Sequence, residues 1–224
     1  NDHHSAMKRS SLNGLETLVK RLDAGLSSKD KVREQAIALS RELIRACSEA
    51  IRELREKGQA KKTLIKAGEL AAKLKKATAG YPELYASGLV ENALQELSEA
   101  HILEAIVFGK KIPAPETFNC TPSAFLLGMG DAIGELRRVS QDALRRGNTA
   151  EAEDALHLME GLYTALNLFD YPDAIVPLKH KQDVARGLIE KTRGEVAVAV
   201  RGRDLEEKIA ALEKVLARHV PGRR

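Results

Sequence analysis

The sequence predicts an all-α fold, a single domain of about seven helices, and three observations lead there. The 224 residues hold 16 glycines and 7 prolines, where average usage would give about 27 of the two together. The prolines, Pro82, Pro113, Pro115, Pro122, Pro172, Pro177 and Pro221, fall in clusters and leave four long proline-free stretches. Along those stretches apolar residues recur every three or four positions. The one alternating β-branched run, Val196, Val198 and Val200, is too short and isolated to build a sheet.

The elements follow in order. Ser28 can cap a helix running to about Lys57, with Val32, Ala36, Leu39, Leu43, Ala46, Ala50 and Leu54 at helical spacing and Gly58 as its stop. Before it, Leu12 to Leu26 leaves room for a further helix. A second helix spans about Ala60 to Thr78 and stops ahead of Gly80 and Pro82, and a third runs from about Leu84 to Phe108. Thr121 followed by Pro122 is a capping residue with proline in the first helical position, which opens a fourth helix to about Arg146. Gly147 closes it, and Thr149 can cap a fifth helix to about Phe169. After a turn over Tyr171 to Pro177, a sixth helix runs to about Val200, and a last one covers Asp204 to His219. In that last helix Leu205, Ile209, Leu212 and Leu216 resemble a zipper seam. Two heptads are too few for a coiled coil, so the seam reads as core or subunit packing. Residues 1–6, with His3 and His4, read as a tag remnant ahead of a natural start at Met7, so the predicted domain is 7–224.

Composition narrows the function. The chain is 43% apolar and 30% charged with a net charge of +4, which permits an anionic partner. With four Phe, four Tyr and no Trp, nucleic-acid binding would rest on charge and shape, because stacking platforms need aromatic rings. Cys47 and Cys120 by themselves make neither a four-ligand zinc site nor a disulfide framework. No apolar run approaches the ~18–20 residues that span a bilayer, and the expectation is a soluble protein of the cytoplasm with no membrane contact.

Two acidic pairs carry the candidate chemistry. In the third helix, Glu96 and Glu99 border the apolar stripe of Leu89, Ala93, Leu97 and Ala100 at 100° per residue. A buried carboxylate is costly without a basic partner, a proton or a metal, so an interhelical salt bridge is the plain reading. In the fourth helix, Asp131 and Glu135 are i and i+4, a like-charge pair that costs ~0.2–0.5 kcal/mol. Three glycines lie in the same helix at about 1 kcal/mol each relative to Ala, and Gly128 and Gly134 flank the acids, where they would let another backbone or a ligand come close. The helical wheel also puts Asp131, Glu135, Arg138 and Asp142 opposite the apolar face, where a polar stripe reads as solvated. Taken together, the four acids form an oxygen-only ligand set suited to Mg²⁺ or Mn²⁺, an ion that would activate water and offset phosphodiester charge.

The string Thr121-Pro122-x-x-Phe125-Leu126-Leu127-Gly128-x-x-Asp131-x-x-Gly134-Glu135-Leu136, preceded by Gln95-Glu96-x-x-Glu99-Ala100, resembles the translin family, and within it the translin-associated factor X (TRAX) branch. The likeness extends from about Lys29 to Val200 in helix order and spacing. It implies an all-α fold of about seven helices that assembles into a hollow octameric barrel, with a metal-dependent endoribonuclease site facing the interior. The family's catalytic acids fall on Glu96, Glu99 and Asp131, with Glu135 as a fourth, and these would hold Mg²⁺ or Mn²⁺. Leu97 and Ser98 depart from the branch, which usually has an aromatic and an apolar residue there. The lack of a basic nuclear-targeting extension suggests a non-nuclear protein that builds its barrel from one subunit type.

For RNA contact, Lys29, Lys31, Arg33 and Arg41 look like the family's basic helix, the match being clearest for Arg33, Arg41 and Arg138. The expected partners are RNA, single-stranded DNA and further copies of the chain. A non-catalytic binder of single-stranded nucleic acid, or a helical scaffold, are the rival readings. Asp154 and His157 form one Asp-x-x-His, whereas a di-iron bundle needs two Glu-x-x-His motifs on separate helices. His101, His180 and His219 have no ligand-spaced neighbours and read as structural or exposed. No phosphate-binding glycine loop, nucleophile elbow or paired cysteine motif occurs.

Overall fold

The computed structural model describes residues 14–219, with side chains through residue 217. The tag-remnant reading of residues 1–6 and the side chain of His219 lie outside them. Seven α-helices make up the described chain: α1 (Leu15–Lys57), α2 (Lys61–Ala77), α3 (Pro82–Tyr85), α4 (Gly88–Val107), α5 (Pro122–Arg145), α6 (Thr149–Leu166) and α7 (Lys179–His219). A single 3-10 turn, Pro115–Phe118, joins α4 to α5, and no strand occurs among the described residues. The all-α prediction holds. None of the described helices is long and apolar enough to cross a membrane.

Three boundaries differ from the sequence reading. Ser28 does not start a helix, because α1 runs unbroken through it from Leu15, about 65 Å at 1.5 Å per residue. Nothing ahead of Ser28 breaks a helix except Gly25, a cost of about 1 kcal/mol. The Ser28 hydroxyl instead accepts a hydrogen bond from Tyr81 at 3.2 Å, and the adjacent Lys29 pairs with Glu83 at 2.7 Å. At the other end, the sixth and last predicted helices are one 41-residue helix, since Gly202 alone does not stop it and Arg203 ties it to Thr149 of α6. The third predicted helix is split, because Ser87 takes an extended conformation (φ −73°, ψ 148°) between α3 and α4.

The stops and caps that the sequence marked most strongly are in place. Gly58 ends α1 with φ 65°, a left-handed conformation that suits glycine. The Thr121 hydroxyl accepts from the Ala124 amide at 3.1 Å and donates to Glu91 at 3.0 Å, so it caps α5 and fastens it to the first turn of α4. At α6 the cap is Asn148, one residue earlier than predicted, its side chain accepting from the Glu151 amide.

One hydrophobic core, including Leu43, Leu74, Leu94, Leu97, Ile133, Met159 and Ile189, draws buried residues from every α-helix except α3, whose Tyr85 packs against it. The two long helices overhang it. Leu15, Leu18, Leu22 and Leu26 at the start of α1 are exposed, as are Leu205, Ile209, Leu212 and Leu216 near the end of α7. The zipper-like seam is therefore not core of this chain. Val196 packs with Ala143 and Ala152 while Val198 faces outward, the pattern of a helix and not of a strand.

Candidate active site

The acidic cleft begins at the crossing of α4 and α5. A Cβ at Gly128 would lie 2.5 Å from the Gln95 carbonyl oxygen, 2.8 Å from Ser98 Cβ and 3.0 Å from the Glu99 amide nitrogen. Only glycine lets the α5 backbone approach α4 so closely, and the approach sets the two acidic pairs side by side. Gly134, the other flanking glycine, has nothing within 4 Å of its Cβ position and borders open space in the cleft.

All four predicted acids line one cleft of about 660 Å³, walled by Gln95, Glu96 and Glu99 of α4, by Gly130, Asp131, Gly134, Glu135, Arg137, Arg138 and Gln141 of α5, and by His180, Lys181, Val184 and Leu188 of α7. A side lobe of about 260 Å³ reaches α1 at Ser48, Ile51, Arg52 and Arg55 and shares Glu96, Glu99, Glu135 and Arg138 with the main space. A third lobe is lined by Arg55, Arg138, Gln141, Asp142 and Arg145.

The charges divide unevenly. Asp131 accepts from Gln95 through one oxygen and pairs with Lys181 through the other. Glu135 pairs with Arg55 at 3.1 Å and with Arg138 at 2.6 Å. Neither Glu96 nor Glu99 has a hydrogen bond or ion pair to a described residue. The salt-bridge reading of Glu96 and Glu99 is thus reversed: the interhelical bridges form at Asp131 and Glu135. The polar stripe of Asp131, Glu135, Arg138 and Asp142 is solvated only in part: the Arg138 side chain is 64% exposed, whereas that of Glu135 is 12% exposed.

Burial raises the affinity of the unpartnered carboxyls for protons. Glu99, 7% exposed, is pushed up to about 8, first by burial and then by the charges on Asp131, Glu96 and Glu135, against the opposing pull of Lys181. Glu96 is raised for the same first cause, followed by Asp131, with Lys181 again opposing. The buried Cys47 thiol is raised far above its ordinary value by burial and by Glu96 and Glu99.

The donor set fits a hard divalent cation: all oxygen, on three-residue and four-residue helical spacing, with two carboxyls that no basic side chain pairs directly. Among the described residues, no three acidic, histidine or cysteine side chains already stand together as a cation cage. Asp131 and Glu135 are held by basic groups, and side chains on the same cleft would have to turn toward one ion.

The other predicted residues divide similarly. Arg138 lines the cleft. Arg33 is on the outer surface of α1, paired with Asp30 and Glu34, and Arg41 is exposed away from the cleft walls. Leu97 and Ser98, the departures from the TRAX pattern, are fully buried, with the Ser98 hydroxyl donating to the Leu94 carbonyl at 2.8 Å. They pack the core and do not face the cleft. His101 is stacked on Phe118 with ring centroids 4.6 Å apart, His157 is exposed, and His180, also exposed, is at the cleft wall.

Sequence reasoning passed over Lys181, Arg52 and Arg55. Nothing local marks Lys181, which meets Asp131 from a different helix. Arg55 did carry a signal: at 100° per residue, Arg33, Arg41, Ser48, Arg52 and Arg55 fall within about 100° of arc on α1.

The fold and cleft define a class: a helical-bundle protein with four carboxylates at a helix crossing, rimmed by arginines. The sequence profile described as Translin family matches residues 9–197, and the chain belongs to that family. An uncharacterised protein of Methanocaldococcus jannaschii is 35% identical over 191 residues, 84% of this chain and 85% of that one. Two structures of AfC3PO are each 36% identical: one crystal structure (TM-score 0.72, covering 84% of this chain and 98% of that one) and one described as a complex with duplex RNA (TM-score 0.71, 84% and 97%). Apo-NeC3PO, at 23% identity and TM-score 0.72 over 81% of this chain and 96% of that one, shares the fold.

Proposed function

We propose that the protein is a TRAX-like, Mg²⁺- or Mn²⁺-dependent endoribonuclease of the cytoplasm, which cuts RNA phosphodiesters at the acidic cleft inside an octameric barrel of identical chains. The observation that carries this reading is the pair Glu96 and Glu99, buried beside Asp131 and Glu135 with no hydrogen bond or ion pair to a described residue, and with Lys181 only partly opposing their raised proton affinity. A core gains nothing from such a pair, whereas a metal site requires one.

Glu96, Glu99, Asp131 and Glu135 would hold the ion. When bound, a divalent ion of this kind supplies charge neutralisation at the phosphodiester and lowers the pKa of water. The chain's own residues do the rest. Arg138 and Arg55 at the rim offer planar donors to phosphate oxygens, and both pair with Glu135 at the cleft. The α1 row of Arg55, Arg52, Arg41 and Arg33 leads away from the cleft for about 33 Å and would track a nucleic-acid backbone. The relative whose structure is described as a duplex RNA complex supports RNA as the ligand. The exposed apolar stripes of α1 and α7 supply surface for assembly of copies.

Cleavage of end-labelled RNA with Mg²⁺, abolished by chelation and by Glu96→Ala or Asp131→Ala while RNA still binds, is the expected result. Normal cleavage by both variants overturns the assignment. The second reading, a non-catalytic binder of single-stranded RNA or DNA, is favoured by the ion pairs that already hold Asp131 and Glu135. It predicts RNA binding with no cleavage at any Mg²⁺ concentration.

A further inference from the structure

We propose that Lys181 is an exchangeable counter-ion of the acidic cleft: its ammonium holds Asp131 while no divalent ion is bound, and such an ion must displace it to reach that carboxylate. Lys181 thereby sets the cation concentration at which the cleft fills. The inference rests on the cation site proposed above.

Three features of the structure carry it. First, the contact is built in. A Cβ at Gly130 would be 3.2 Å from Lys181 Cβ and 3.5 Å from its Cγ and Cδ, so the bare face of Gly130 is where the lysine stem lies, and the stem delivers the ammonium onto Asp131 Oδ1. Second, both Asp131 oxygens are already engaged, Oδ2 by the Gln95 amide and Oδ1 by the ammonium. An incoming ion at this carboxylate meets the ammonium at close range, and the two positive charges repel. Third, the exchange is sterically open: the Lys181 side chain is 27% exposed and the Asp131 side chain 26%, and both border the cleft. Arg55 and Arg138 are engaged with Glu135 and Arg137 with Glu195, whereas Lys181 contacts Asp131 and opposes the proton affinity of both Glu96 and Glu99.

The test uses the full chain. Limited acetylation with acetic anhydride, followed by peptide mass spectrometry, reads the accessibility of Lys181 in EDTA and in saturating MnCl₂, with Mn²⁺ binding followed separately by electron paramagnetic resonance. Labelling of Lys181 should rise several-fold with Mn²⁺, while Lys75, bonded to Asn119 at 2.9 Å on another face, should not change. Lys181→Met should bind Mn²⁺ about tenfold more tightly, as removal of one adjacent positive charge implies. If Mn²⁺ binds and either Lys181 labelling or the Lys181→Met affinity is unchanged, the exchange is wrong and the metal site stands. If no Mn²⁺ binds to the wild-type protein, both readings fall. Should Lys181→Met not fold, the wild-type labelling decides alone.

Discussion

Gly128 of α5 and Gln95 of α4 meet backbone to backbone: a Cβ on the glycine would stand 2.5 Å from the Gln95 carbonyl oxygen. That contact sets the spacing of the two helices that carry the acids. Glu96 and Glu99 follow Gln95 on one helix, Asp131 and Glu135 follow Gly128 on the other, and the close crossing brings the four carboxyls onto one cavity. Glycine costs about 1 kcal/mol in a helix interior, and the bundle accepts the cost here for geometry.

Replacing Gly128 by Ala forces the two backbones apart and should destabilise the protein by at least the upper end of the ~1–3 kcal/mol typical of overpacking. Gly134→Ala, at a position with open space around it, should instead stabilise by up to about 1 kcal/mol. Urea midpoints for the two variants should move in opposite directions. Equal decreases would mean that the crossing has room for a methyl group.

The raised Glu99 carboxyl gives the metal-free protein a distinctive pH dependence. Below pH ~4.5 Glu99 is protonated in both folded and unfolded chains and contributes nothing. Between there and about 8, the folded state holds the proton that the unfolded chain has released, so stability falls as pH rises, and the loss is complete above about 8. Glu99→Gln should remove this slope and be more stable than wild type at pH 8.5, by an amount of order a few kcal/mol. Chemical denaturation in EDTA at pH 5.5 and 8.5 measures it. Parallel pH profiles for the two proteins would show that Glu99 titrates normally.

The arginine row on α1 predicts a graded effect on RNA affinity. Arg33→Ala, Arg41→Ala and Arg55→Ala should each weaken binding modestly and reduce the steepness of the log affinity against log salt plot by roughly 0.7–0.9 for each phosphate that is no longer neutralised. Filter binding over a range of KCl concentrations checks it. An unchanged slope in all three would remove α1 from the binding surface.

The overhanging end of α7 predicts where copies meet. Leu205→Glu combined with Leu212→Glu places charge on exposed apolar positions that the core does not use, so the protomer should keep its helicity. Light scattering after size exclusion should show a smaller assembly than wild type. A variant of unchanged mass would exclude this stripe from the interface.

How far each feature could be read in advance follows from the range of the interaction behind it. Helix identity, the Gly58 stop, the Thr121–Pro122 start and the four acids are encoded within a turn or two of chain, and for these the amino-acid string was enough. Where the signal was local but weak, as at Ser28 or Gly202, packing and the cooperativity of a long helix overrode it. The sequence could also say that Glu96 and Glu99 needed partners, but not that they would have none, or that Asp131 and Glu135 would take the basic side chains. The Arg138 bridge to Glu135 is local, three residues along one helix, but Lys181 and Arg55 reach Asp131 and Glu135 from helices remote in sequence. Charge pairing between helices acts over a few ångströms of space and not along the chain, so these contacts exist only once the helices have crossed.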